Sequence, residues 1–161
     1  MRAFPTKPRR LSVPSIVILL FLCVICSPVQ AKKIWGGIYA GKNSGLSVKK
    51  WESRWAAYDY AAGWSTENKT IFHTKVDYLV HIYKLFDQPQ GRLPLYYGIG
   101  GEIEFGENVE SGIRAPIGLN YIFPRLPIDI FIEVAPVLNI FPGTTVSLSG
   151  AIGGRFHFTY K

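Results

Sequence analysis

From Val146 to Tyr160 every second residue is apolar or glycine: Val146, Leu148, Gly150, Ile152, Gly154, Phe156, Phe158, Tyr160. Between them stand Ser147, Ser149, Ala151, Gly153, Arg155, His157 and Thr159. A period of two sustained this long is wrong for a helix and demands an extended strand whose two faces meet different surroundings. The pattern recurs over Leu95–Phe105, Ile113–Phe123 and Ile128–Val134, and more weakly over Ile34–Ala40, Leu46–Lys50, Tyr58–Trp64 and Phe72–Ile82. Turn-rich stretches separate these segments, at Gly41–Gly45, Ser65–Lys69, Tyr83–Pro94, Gly106–Gly112, Pro124–Pro127 and Phe141–Thr144. Eight strands are predicted, several of them longer than the globular mode of about 5–6 residues.

Alternation alone leaves open which face looks inward. The apolar parity runs unbroken by charge over whole strands. The opposite parity mixes Gly, Ala and Ser with Asp59, Lys75, Asp77, Glu102, Glu104, Arg114, Asp129, Glu133 and Arg155. Small residues with sparse charges suit the lumen of a narrow closed barrel, whereas a soluble barrel fills its inside with apolar bulk. Aromatic residues gather at strand ends, as membrane–water interfaces favour. Backbone groups in lipid need partners, so an all-β spanning protein must close on itself. The expected fold is an all-β, eight-stranded, antiparallel, up-and-down transmembrane β-barrel with periplasmic termini.

The N-terminal segment completes the address. Arg2, Lys7, Arg9 and Arg10 precede an apolar run from Leu11 to Cys26, then Ser27-Pro28 and small residues at Val29 and Ala31. This is the layout of a secretory signal peptide cleaved after Ala31, and the run is shorter than the ~20 residues of a spanning helix. The expected domains are 1–31, removed, and 32–161, the barrel. Of the 18 basic residues, four lie in the leader, so the formal charge of +7 does not describe the exported part and a nucleic-acid partner is not implied. Both cysteines, Cys23 and Cys26, also fall there, which excludes disulfides, cysteine-ligated zinc and thiol chemistry from the remainder.

Two prolines cut against a regular barrel. Pro116 and Pro136 lie inside predicted strands, and a closed barrel has no edge to hide a missing N–H. With a tight turn at Pro124–Pro127 they fall nearly opposite one another, and the strain is expected near one rim.

Several stretches are also familiar. Leu46-Ser47-Val48-Lys49-Lys50-Trp51 leading to Ala57-Tyr58-Asp59, Val76–His81, Leu93–Gly101, Arg114–Leu119 and Pro127–Val137 resemble a family of small bacterial outer-membrane β-barrel proteins of unknown function. That family is akin in architecture to the transmembrane domain of outer-membrane protein A. The resemblance covers essentially all of 32–161; it implies a fold and an outer-membrane location, and no activity. It also implies outer-membrane lipids and the barrel-assembly machinery as partners. One departure is the last residue, Lys161, where such barrels often end on an aromatic.

The inward charges form the one constellation with chemical content. Pairing Phe105 with Ile113 across Gly106–Gly112 places Glu104 opposite Arg114, an ion pair that fills the lumen; a slip of two residues pairs Arg114 with Glu102 instead. Eight strands leave room for side chains and little else, so at most a very small solute would pass. His73 and His81 share a face, but about 26 Å of strand separates them, so they cannot share a metal ion. His157 and Thr159 form an H-x-T pair loosely like the H-x-S of outer-membrane lipid A deacylases, the basis of an enzymatic alternative. No catalytic, cofactor or metal site is expected, and the outward connections are short.

Overall fold

The computed structural model describes residues 33–65, 71–85 and 91–158. The expected leader, 1–31, and Thr159 lie outside these. Nine strands follow in chain order: β1 (Ile34–Gly41), β2 (Ser44–Trp51), β3 (Ala56–Ser65), β4 (Ile71–Ile82), β5 (Leu95–Phe105), β6 (Val109–Arg114), β7 (Ile117–Ile122), β8 (Ile128–Phe141) and β9 (Thr145–Phe158). All pairings are antiparallel. Sequence neighbours pair throughout except β6 with β7, and β9 also pairs with β1, from Ile34↔Phe158 to Gly41↔Ala151, so the ladder returns to its start. Every strand therefore has partners on both sides.

The count is nine rather than the expected eight because one strand is cut at Ala115-Pro116. Both halves, β6 and β7, pair with the same neighbours, β5 and β8. Pro116 has no N–H to carry the ladder through. The two prolines do meet across the wall: Ala115 N donates to Pro136 O at 3.0 Å, and Gly98 N to Pro116 O at 2.9 Å. The break is not near a rim, as the sequence suggested. Pro136 sits well inside β8, where the β8–β9 ladder continues past it through Pro136↔Leu148. Each proline keeps its carbonyl bond and loses one donor, so the interruption stays local.

The two ends of the barrel differ in their connections. At one end, the distal rim, tight turns at Lys42–Asn43, Gly106–Asn108 and Pro142–Thr144 join the strands. The other, terminal rim holds Lys33, Phe158 and the longer links. There Gly91 adopts φ +89°, a left-handed conformation that favours glycine, and Arg92 bridges Ile122.

Facing follows the alternation. Ile38, Leu46, Ile99, Ile132, Leu148 and Ile152 are exposed, while the polar parity is buried. Outward-facing aromatics cluster by rim: Trp64, Phe72 and Phe141 are exposed at distal strand ends, Tyr97, Phe156 and Phe158 toward the terminal rim.

Candidate functional site

Among the described residues, polar side chains gather in three main groupings stacked along the barrel. Deepest is an ion-pair cluster around Arg114. Its Nη2 lies 2.7 Å from Glu133 Oε1, Nη1 3.3 Å from Glu102 Oε2 and Nε 3.3 Å from Asp77 Oδ1. Lys75 Nζ shares Glu133 Oε1 at 2.8 Å and approaches Asp77 Oδ2 at 3.9 Å. Tyr96 donates its hydroxyl to Glu133 Oε2 at 3.0 Å. A planar guanidinium with five donors is suited to bridging several carboxylates at once. Space for it comes from its cross-strand partner, Gly100. A Cβ there would collide with Asp77 Oδ1 and the Val76 carbonyl.

Toward the terminal rim a second cluster centres on Arg155. Its Nη2 lies 2.7 Å from Asp59 Oδ2, its Nη1 3.6 Å from Asp129 Oδ2, and its Nε donates to Ser47 Oγ at 2.9 Å. Ser47 in turn donates to Asp59 Oδ1 at 3.0 Å, and the guanidinium carbon sits 3.9 Å from the Phe131 ring centre. Beyond it lie stacked rings. Trp35 stacks on His157 with centroids 3.7 Å apart and meets Trp51 edge-on at 4.9 Å. Tyr83 and Ile122 pack against this group, and burial pushes the Tyr83 phenol up to about 12, so it stays neutral.

The third grouping is at the distal end. Glu104 Oε1 accepts from Lys42 Nζ at 2.9 Å and from Asn43 Nδ2 at 3.2 Å. His73 lies beside it, its Nε2 3.6 Å from Glu102 Oε2.

All nine charges named from the sequence are buried. The structure divides them: Lys75, Asp77, Glu102, Arg114 and Glu133 meet in one cluster, Asp59, Asp129 and Arg155 in another, and Glu104 stands apart. The expected Glu104–Arg114 pair is corrected. The β5–β6 turn takes only Gly106–Asn108, so Phe105 pairs with Val109, Glu104 with Glu110 and Arg114 with Gly100. Glu110 and Ser111 read as loop because they are polar, yet they are paired strand residues near the rim.

Lys49 was missed. It is fully buried, its Nζ 3.1 Å from His81 Nε2, 5.0 Å from the Tyr96 centroid and 5.5 Å from that of Trp51. A signal existed: Lys49 shares a parity with Ser47 and pairs with Asp59 once the β2–β3 register is known. Tyr96 was also missed, since a tyrosine on the lumen parity looks like any aromatic until Glu133 is placed beside it.

A scan of protein-family models finds no match to this chain, and a search of curated proteins finds none either. Among solved structures it is similar to the N-terminal β-barrel domain of Pseudomonas aeruginosa OprF, with a TM-score of 0.58 at 13% identity. The match covers 78% of this chain and 97% of that one. The two share a fold. At that identity the likeness is one of architecture, and the side chains of the lumen must be read on their own terms.

Proposed function

We propose that residues 32–161 form an integral bacterial outer-membrane β-barrel with a filled, charged lumen, serving a structural or partner-binding role. The observation that carries the reading is the inversion of faces. Val146 is 77% exposed, Leu148 70% and Ile38 67%, while Arg114 and Arg155 are each 2% exposed. In water such a wall would be one continuous apolar patch around buried charge; in lipid each face meets its preferred surroundings. The aromatic residues at both rims, the leader-like segment 1–31 and the resemblance to small bacterial outer-membrane barrels support the same placement. With periplasmic termini, the distal turns face the cell exterior. Outer-membrane lipids and the barrel-assembly machinery are the partners this reading entails.

Rings across the terminal rim and ion pairs across the middle argue against a wide pore. His157, half of the H-x-T pair, is stacked on Trp35 with its Nε2 turned toward Asp129 Oδ1 at 3.8 Å, so its ring belongs to the rim packing and the lumen charges. The test is fractionation, with carbonate washing and heat-dependent gel mobility, followed by planar-bilayer recording. The protein should stay in the outer-membrane pellet, migrate faster when unheated and pass little current. Release by carbonate would overturn the location. Steady porin-sized conductance, or lipid deacylation lost in His157→Ala, would overturn the non-catalytic, filled-lumen role.

A further inference from the structure

At the distal end of the lumen, the β4–β5 register sets His73 directly opposite Glu104. Glu102 lies two residues along the same strand, on the same inward face. One ligand-capable atom from each of the three lies within 4.8 Å of the others. The exposures are 5% for His73, 7% for Glu102 and 8% for Glu104. Two further observations bear on a cation at this place. The buried His73 Nδ1 has no hydrogen-bond partner, and its Nε2 faces Glu102 Oε2 at 3.6 Å. Among the described residues, six carboxylates and four Lys or Arg side chains are buried, and half-exposed Lys42 reaches Glu104 from the rim.

We infer that His73, Glu102 and Glu104 bind a first-row divalent metal ion, with Zn²⁺ as its representative, at the distal mouth of the lumen. One imidazole nitrogen and two carboxylate oxygens form a donor set suited to such an ion and poorly suited to Mg²⁺ or Ca²⁺, which favour all-oxygen sites. With bonds of about 2.0–2.2 Å, ligand atoms of a tetrahedral site stand roughly 3.4 Å apart, so the three need draw together only modestly. The existing ion pairs engage one oxygen of each glutamate, Oε2 of Glu102 through Arg114 and Oε1 of Glu104 through Lys42. Each carboxylate has a second oxygen to offer. Asn43 and Arg114 then act as outer partners that hold the ligands in place. Lys42, with a side chain 52% exposed, is the one cation there that solvent can readily accept, and its ammonium competes with the metal for Glu104.

The experiment is calorimetric titration of Zn²⁺ into the untagged mature barrel, folded in detergent, with heat-dependent gel mobility confirming the fold of each variant. Saturable binding of one ion per chain is expected, undisturbed by equimolar Mg²⁺. His73→Gln and Glu104→Gln should each weaken binding by about tenfold or more. His157→Gln, at the other end, should leave it unchanged. Lys42→Ala should tighten it about two- to fivefold, the opposite sign to simple damage. Lys42→Ala removes no buried group, so it decides the matter even if the buried variants misfold. No saturable binding, equal affinity in His73→Gln, displacement by Mg²⁺, or no tightening in Lys42→Ala would each overturn the site.

Discussion

The two ends of the lumen are closed by different chemistry. At the terminal rim Trp35, Trp51, His81 and His157 lie ring against ring, with Tyr83 packed behind them. At the distal rim the space is occupied by Lys42, Asn43, His73 and Glu104, joined by hydrogen bonds and charge. Stacked rings need no solvent and exclude it, so one end behaves as a core. Lys42 keeps half its side chain in contact with the outside, so the other end communicates with solution. Between them, Arg114 has three carboxylates around it and is 2% exposed. The same type of ion pair thus occurs deep and at a rim within one barrel, and depth decides its energetic weight.

The largest effect should come from the deep pair. Arg114→Met leaves Glu133, Glu102 and Asp77 without their shared cation and should destabilise by about 3–5 kcal/mol in urea titrations of the barrel in vesicles. Adding Glu133→Gln should recover part of that loss, giving strong coupling in a double-mutant cycle. Glu104→Gln should show coupling near zero with Arg114, since the register separates them; strong coupling there would restore the pairing that the short turn excludes.

Next is the outer wall at the same depth. Ile132, 55% exposed, should cost about 2–4 kcal/mol when changed to Arg if lipid surrounds it. A harmless Ile132→Arg would mean that the outer face is wet and the contrast between faces is ordinary surface exposure.

The ring-packed end should be less sensitive to a conservative change. Trp35→Leu stays apolar but gives up ring volume, the stack on His157 and the edge contact with Trp51, an expected loss of about 0.5–1.5 kcal/mol beyond the area term, read from the same titrations. The smallest effect belongs to Lys42→Ala. A half-exposed pair is worth about 0.2–1 kcal/mol, and the difference between Lys42→Ala and the parent should shrink further at high salt. A loss as large as that of Arg114→Met would show that the distal rim is as dry as the middle.

The sequence by itself determined the class of fold and the facing of nearly every strand residue. Side-chain direction alternates with each residue along any strand, so Ile117 outward and Asn120 inward follow from counting alone. It also marked all nine charges as inward, because their parity opposes an uninterrupted apolar one. Pro116 and Pro136 were visible as irregularities facing one another, though their depth was not. Which charges meet was a different question. Arg114 finds Glu133, Glu102 and Asp77 on β8, β5 and β4 because the turn closes over three residues and the strands close into a ring. His73 meets Glu104 because β4 and β5 pair in one register among several that would preserve every residue's facing. A slip by two residues leaves the alternation intact and changes every cross-strand partner. Facing is a local property carried by each strand alone; partnership depends on turn length and ring closure, which only the tertiary structure sets.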